Sequence, residues 1–372
     1  MRLDRRTLVS GFLGLVAAGA GVASASPIAA AADPCSGWTM KTIFSGLGVV
    51  EYALPDGSGG LLISSSSRND IERLQRDGSS TVYLPGVKAP GAMVRRGGQL
   101  YVTTGDAAQS GATNTADGTI LRVDLATKQV ATYAAGLVMP NGMTFSAAGD
   151  AYVTRDIGTA SQVVRVPQSD PAHPQTMWAN QGDTNGVRVD PTQTWLYVST
   201  TFNQPAGVYR IRLSDPSQIQ LVASLAGTGN PLPKGLDDMT ADAAGNLFIT
   251  ANGSGEVLRL DPLTRASCVL ASGLQNPSAV EFGAGPGWPA DHLFVSGFDG
   301  TIRELTPPPS ASTQASGGSG LPGSGPATPA SGGALPGTAA PGALVPLALA
   351  LGSLGAAAAW ARRYGRRARP RG

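Results

Sequence analysis

Histidine and cysteine are almost missing from this chain, with two of each in 372 residues. His173 sits in Asp170-Pro171-Ala172-His173-Pro174, the composition of an exposed turn, and His292 follows Trp288-Pro289-Ala290-Asp291 at the start of a strand. Both read as structural residues. No Gly-x-Ser-x-Gly occurs, so a serine-hydrolase route is a poor fit. Zinc-ligand spacing, a phosphate-binding glycine loop and a dinucleotide fingerprint are also lacking. Before residue 306 no segment carries a long 3.6-residue apolar period except the extreme N-terminus, which excludes a helical fold. The formal charge of +2 hides an asymmetry: without the first 25 residues and the arginine-rich tail, 18 basic residues face 24 acidic ones. An acidic body argues against nucleic-acid binding and suits a protein that holds a cation.

What the chain does have is repetition. Arg73, Arg122, Arg165, Arg210, Arg259 and Arg303 lie between apolar or aromatic residues, separated by 49, 43, 45, 49 and 44 positions. A second series, an apolar pair followed by a hydroxyl residue, precedes them: Leu62-Ile63-Ser64, Tyr101-Val102-Thr103, Tyr152-Val153-Thr154, Tyr197-Val198-Ser199, Phe248-Ile249-Thr250 and Phe294-Val295-Ser296. Two series of six in the same order mean one unit repeated six times. The fifth unit shows four short strands, Met239-Thr240-Ala241, Asn246 to Thr250, Glu256 to Leu260 and Ala266 to Leu270, broken by Ala244-Gly245, Asn252-Gly253 and Asp261-Pro262. Gly, Asn and Asp supply tight turns, and β-branched and aromatic residues supply strands. Radial repetition of a four-stranded sheet of about 45 residues is a propeller. The expected fold is all-β, a six-bladed β-propeller over residues 36–306.

The sixth unit runs into Pro307-Pro308-Pro309 before its outer strand. A spare strand, Trp38 to Phe44, stands at the other end, so an N-terminal strand is expected to complete the C-terminal blade and remove an open edge. Cys35 precedes that strand, and Cys268 lies on the outer strand of blade five. An even cysteine count in an exported chain points to a disulfide, unless the outer strands of adjacent blades diverge too far for one.

Residues 1–25 have a basic start, an apolar stretch from Leu8 to about Val22 and the small-residue site Ala23-Ser24-Ala25, the pattern of a secretory signal peptide. Arg5-Arg6 is compatible with twin-arginine export and equally with an ordinary basic start. Residues 307–342 are almost entirely Pro, Gly, Ser, Ala and Thr without charge, a spacer. Ala343 to Ala361 gives 19 uncharged, mostly apolar residues, about 28 Å as a helix against a hydrocarbon core of about 30 Å. Residues 362–372 hold six arginines and are expected to stay cytoplasmic. Spacer, span and tail resemble a cell-wall sorting signal with Leu335-Pro336-Gly337-Thr338 as the sortase motif, although Ala339 stands where that family has Gly. A retained single transmembrane helix anchoring the C-terminus is the first expectation and sortase processing the second. Either places the propeller outside, at the cell membrane or wall.

The loops entering each innermost strand converge on one face of a propeller. Four of the six carry an acid or amide at the same place: Glu51, Asn141, Asn185 and Asp237, with Asp238 as a further candidate. Hard oxygen donors meeting at one point are what a calcium ion needs. The alternatives are a tight turn for each Asn-Gly, a loop cap for Asp237-Asp238 and a solvated charge for Glu51.

These entry loops resemble those of the regucalcin/gluconolactonase family of six-bladed propellers, and more distantly those of paraoxonases and strictosidine-synthase-like proteins. The resemblance rests on Asp237 through Asn246-Leu247-Phe248 to Arg259-Leu260-Asp261-Pro262, with Asn185-Gly186 and Asn141-Gly142 in two further blades. It implies that Glu51, Asn185 and Asp237 bind a divalent cation, most readily Ca2+. It also implies that Asn141 helps to hold substrate and that Asp237 is the general base in hydrolysis of a small-molecule lactone or related ester. Asp238 and Tyr52 stand where that family has Gly. The other reading is a non-catalytic propeller that binds a ligand or protein and carries a structural metal.

Overall fold

A computed structural model describes residues 33–158, 163–202, 206–225 and 234–309. The expected signal peptide, most of the spacer, the expected membrane span and the basic tail lie outside the described residues. Among the described residues no helix is long and apolar enough to cross a membrane.

Six four-stranded antiparallel sheets make up the described chain. Their innermost strands are Val50–Pro55, Pro90–Arg96, Met143–Phe145, Thr184–Val189, Leu236–Ala241 and Pro277–Phe282. Each packs against the innermost strands of both neighbours, which closes the ring. Second strands such as Gly60–Ser65, Leu247–Ala251 and Leu293–Gly297 are buried along their whole length, whereas the outer strand Ser80–Pro85 is mostly exposed. A strand covered on both faces cannot alternate. Runs such as Leu61-Leu62-Ile63, all fully buried, therefore replace the apolar-polar pattern. Each such side chain contributes about 1.5–3 kcal/mol.

The hydroxyl series has a structural purpose that ties the blades together. Ser64 donates to the Gly91 carbonyl (2.6 Å), Thr103 to Asn141 (3.3 Å), Ser199 to Asp237 (2.6 Å), Thr250 to Ser278 (2.6 Å) and Ser296 to Glu51 (3.3 Å). Thr154 donates to the Asn185 carbonyl, which completes the circle. Every hydroxyl thus reaches from the second strand of one blade, or in blade three the residue just after it, to the innermost strand of the next or, at Asn141, its entry loop. In blades three, four and six it also accepts an N–H from its own blade, from Gly142, Gly186 and Ala279. Five innermost strands are bulged here, between Val50 and Ala53, Pro90 and Met93, Thr184 and Val187, Leu236 and Met239, and Pro277 and Val280. A bulge leaves backbone groups outside the ladder, and the hydroxyls satisfy them.

Five of the six arginines occupy one register. Arg73, Arg122, Arg165, Arg210 and Arg259 lie opposite Leu62, Tyr101, Tyr152, Tyr197 and Phe248. Arg303 does not belong with them: Glu304 faces Phe294, and Arg303 pairs one residue away with Val295. The guanidinium over the blade-six aromatics comes from blade one instead. Arg76 lies 4.6 Å from the Trp288 ring centroid and bonds Glu304 at 2.8 Å.

The N-terminal strand Thr39–Phe44 pairs antiparallel with Ile302–Thr306 and supplies the fourth strand of blade six. Cys35 and Cys268 form a disulfide with Cα atoms 6.0 Å apart across 233 residues of sequence. Trp38 packs on Phe248 beside it (ring centroids 6.4 Å), so the segment from Cys35 to Phe44 is fastened to blade five as well as to blade six.

Two expected outcomes follow. Replacing both cysteines with serine should lower unfolding stability in urea by about 2–5 kcal/mol, as for other bridges that close long loops. Thr250→Val keeps shape but leaves the Ser278 carbonyl without its donor, and should lower stability by about 1–3 kcal/mol. Thr81→Val, on the exposed outer strand Ser80–Pro85, should stay within about 0.5 kcal/mol in the same titration.

Candidate functional site

The bulge and the hydroxyl ring together decide where the candidate side chains start. Counting back two residues from Ala53, Met93, Met143, Val187, Met239 and Val280, each paired with the middle of its second strand, gives Glu51, Gly91, Asn141, Asn185, Asp237 and Ser278. Glu51, Asn141, Asn185 and Asp237 therefore spring from one level of the ring, in blades one, three, four and five. Their carbonyls are the acceptors of the hydroxyl ring, which fixes the backbone from which each side chain projects.

The Asn-Gly pairs are not tight turns. Neither Gly142 nor Gly186 has a positive φ. A Cβ on Gly142 would lie 2.5 Å from the Asn185 carbonyl oxygen, and one on Gly186 would lie 2.7 Å from the Asp237 carbonyl oxygen. The glycines are there because the next blade's site strand passes against them.

Two further acids join the cluster that the entry loops alone did not reveal. Asp106 and Asp156 follow the second strands of blades two and three, each in a Thr-x-Asp sequence (Thr104-Gly105-Asp106 and Thr154-Arg155-Asp156). The Asn141 side chain lies close enough to Asp106 to favour its charged form, against the larger effect of burial. The only sequence signal was the recurrence of Thr-x-Asp at the same strand end. Arg155 knits the two loops together. It donates to Ile157 O (2.8 Å), to Asn114 Oδ1 (2.8 Å) and to Gly111 O (3.1 Å) in the short helix Ala108–Thr113.

Electrostatics bind the group into one site. Burial, then Asp156 and Asp238, push the Glu51 carboxyl up to about 8. Burial, then Glu51, Asp156, Asp238 and Asp106, hold Asp237 well above the usual carboxylate range. Burial, then Glu51 and Asp156, do the same to Asp106. Burial raises Asp156 to about 6 and Asp238 to about 7. Glu51, Asp106, Asp156 and Asp237 thus feel one another although they come from four blades. Withdrawal from water is the largest cause in every case, and like charge adds to it for Glu51, Asp106 and Asp237.

Oxygen atoms in this cluster also lack partners. Asn185 donates through Nδ2 to Thr201 Oγ1 (3.1 Å), leaving its Oδ1 buried without a hydrogen bond. Asp106 Oδ1 and Asp156 Oδ1 are in the same condition. Unsatisfied buried acceptors of this kind fit a hard cation. Among the described residues no three of these carboxylates bring oxygens within 4.8 Å of one another. A cation held here would therefore draw on amide as well as carboxylate oxygen. Asp237 Oδ2 accepts from Asn252 Nδ2 at 3.3 Å, and Asn276 in turn donates to Asn252 Oδ1 at 3.2 Å.

One layer further along the strands a second network spans the ring. Tyr52 donates to Glu281 Oε1 (2.5 Å), Thr240 donates to Glu281 Oε2 (2.9 Å), and Arg188 donates to Tyr52 Oη (2.8 Å) and to Glu281. Asp238 Oδ2 lies 3.9 Å from the Arg188 guanidinium. Burial works against the Arg188 charge, but Glu281 and its neighbours hold the guanidinium firmly protonated. Asp238 belongs to this network as well as to the acidic cluster. The two histidines stand elsewhere: His173 is exposed and contacts Asp170 (2.9 Å), and His292 contacts Glu304 (2.8 Å).

No protein-family model matches the chain, and no curated protein matches it by sequence. Solved structures do. A gluconolactonase from Xanthomonas campestris is 18% identical with a TM-score of 0.57, covering 74% of this chain and 91% of that one. A calcium-binding regucalcin from Agrobacterium tumefaciens is 16% identical with a TM-score of 0.56, covering 73% and 94%. Virginiamycin B lyase from Staphylococcus aureus is 14% identical with a TM-score of 0.50, covering 72% and 98%. At such identities the likeness is one of fold, and propellers of this kind host more than one chemistry. The chain is a six-bladed β-propeller whose structural neighbours are gluconolactonase- and regucalcin-like propellers.

Proposed function

We propose that this propeller hydrolyses a small lactone or related ester with the help of a divalent cation, most readily Ca2+, displayed outside the cell on a C-terminal anchor. The observation that carries the reading is the meeting of Glu51, Asp106, Asp156 and Asp237 with Asn141 and Asn185 at one end of the ring. In that meeting three buried oxygens lack partners. Glu51, Asn185 and Asp237 would hold the cation, and when bound it would polarise the ester carbonyl and offset the carboxylate charge. Asn141, beside Asp106, orients the substrate. Asp237, braced by Asn252, takes a proton from the attacking water as its oxygen adds to the carbonyl carbon, and returns that proton to the ring oxygen as the carbon–oxygen ring bond breaks, which gives the hydroxy acid. The fold likeness to gluconolactonase and regucalcin structures agrees with this chemistry.

A panel of lactones and aryl esters with Ca2+ tests the reading. Turnover should vanish on chelation and return with Ca2+. Asp237→Asn should lower kcat/KM by 10²-fold or more, on the order expected for loss of a general base, and Asn141→Ala should act mainly on KM. Ca2+-dependent melting with no turnover on any substrate would favour the purely binding propeller.

The raised carboxyl pKa values give a second test, independent of turnover. A carboxyl whose folded pKa exceeds its unfolded value favours the folded state below about pH 4, and that contribution is lost as pH rises through the folded pKa. The window follows from Asp156, Asp238 and Glu51, at about 6, 7 and 8. The metal-free protein should therefore lose thermal stability between pH 5 and 8. Added Ca2+ should remove most of that loss, with a larger Tm gain at pH 8 than at pH 5.

A further inference from the structure

Blade two breaks the charge pattern of its neighbours at the end of the strands away from the site. In blade one the turn after the innermost strand sends Asp56 to pair with Arg73. In blade three Asp150, just before the second strand, accepts from Arg165 Nε (2.9 Å) and Nη2 (2.6 Å). The two corresponding positions in blade two are Arg96, three residues beyond Met93, and Gln99, just before Leu100. The Gln99 amide is already taken by Asp124 Oδ2 (2.7 Å). Arg122, the blade-two member of the arginine series, is therefore left without a carboxylate, and a second guanidinium stands where the acid would be. Among the described residues neither Arg96 nor Arg122 is ion-paired.

Both arginines line one cavity of about 340 Å³, together with Tyr101, Thr132, Tyr133 and Gln168. Aromatic faces crowd this region: Tyr101 lies 5.1 Å from Tyr133 and 4.7 Å from Phe145, ring centroid to centroid. Arg96 is stacked 5.8 Å from the Phe145 centroid. Arg122 is exposed and Arg96 half-buried, so water screens their mutual repulsion, and an anion seated between them would be attracted to both. Guanidinium forks match carboxylate and phosphate oxygens, and aromatic walls suit a flat ring. A cavity of this size is at the lower end of the range for small-molecule sites.

We propose that this cavity binds a small organic oxyanion, a carboxylate or phosphate monoester carried on a ring. Arg96 and Arg122 take the charged oxygens, and Tyr101 and Tyr133 lie against the ring. The site is separate from the acidic cluster and does not depend on the lactonase reading.

Isothermal titration of the whole protein with phenyl phosphate, benzoate and inorganic phosphate tests it. Phenyl phosphate or benzoate should saturate with Kd below about 1 mM, a modest affinity for a small ligand. The preferred one of the two identifies the oxyanion. Inorganic phosphate should bind more weakly. Arg96→Asp restores the blade-one arrangement by giving Arg122 an acid, so it should weaken binding on the order of tenfold or more without lowering Tm. Arg122→Gln should weaken binding similarly. Arg210→Gln, the equivalent change in blade four, and Asp237→Asn should leave it unchanged. No saturable heat from any probe would overturn the proposal. So would binding indifferent to Arg96→Asp, binding lost in Asp237→Asn, or inorganic phosphate binding as tightly as phenyl phosphate.

Discussion

Six buried hydroxyls hold this ring in register, and the position of everything at its centre follows from them. Each of Ser64, Thr103, Thr154, Ser199, Thr250 and Ser296 crosses a blade boundary to a carbonyl of the next innermost strand or, at Asn141, its entry loop. Apolar contact between blades is strong but non-directional, and two packed sheets could slide by a residue at little cost. A hydrogen bond to one particular carbonyl removes that freedom. Those carbonyls belong to Gly91, Asn141, Asn185, Asp237, Ser278 and Glu51. The belt that aligns the blades therefore also sets the height of the candidate ligands.

The acidic cluster runs against stability, and the surrounding structure shows how the fold contains it. Carboxyls from four blades act on one another, Asp237 buried and Glu51, Asp106 and Asp156 half-buried, and their pKa values are raised as a result. One layer away, Arg188 answers part of this charge, held between Glu281, Tyr52 and Asp238. Tyr52 and Asp238 replace glycine of the resembling family, and here they belong to one network. The two departures thus have a common structural reason: a tyrosine and an aspartate around a single arginine that spans the ring.

Much of this architecture could be read in the sequence because a propeller repeats its physics. Six hydroxyl residues at matching places had to serve one purpose, and the strand missing after Ile302–Thr306 had to come from somewhere. What escaped was whatever did not repeat. Asp106 and Asp156 stand at different offsets from Thr103 and Thr154 of the hydroxyl series, three residues and two, so no series marked them. Arg303 kept the spacing of its series while lying one residue out of register. The bulges were invisible because period-two reasoning assumes an unbroken ladder. The Asn-Gly pairs left a tight turn open as an alternative to a shared cluster, because close approach by a neighbouring backbone leaves the same trace in sequence as a positive φ.

The closing strand also governs when the site can exist. Thr39–Phe44 pairs with Ile302–Thr306, the last strand of the propeller, and Glu51 follows it on the next strand of the chain. A nascent chain holding only five finished blades has an early strand with no partner, and the Ser296 hydroxyl that anchors Glu51 is not yet in place. Assembly of the ring and assembly of its chemistry are one event, reached only when residues from both ends have met. Loss of either end of the propeller, Thr39–Phe44 or Ile302–Thr306, therefore reaches the central cluster directly, across the 245 residues that separate Glu51 from Ser296.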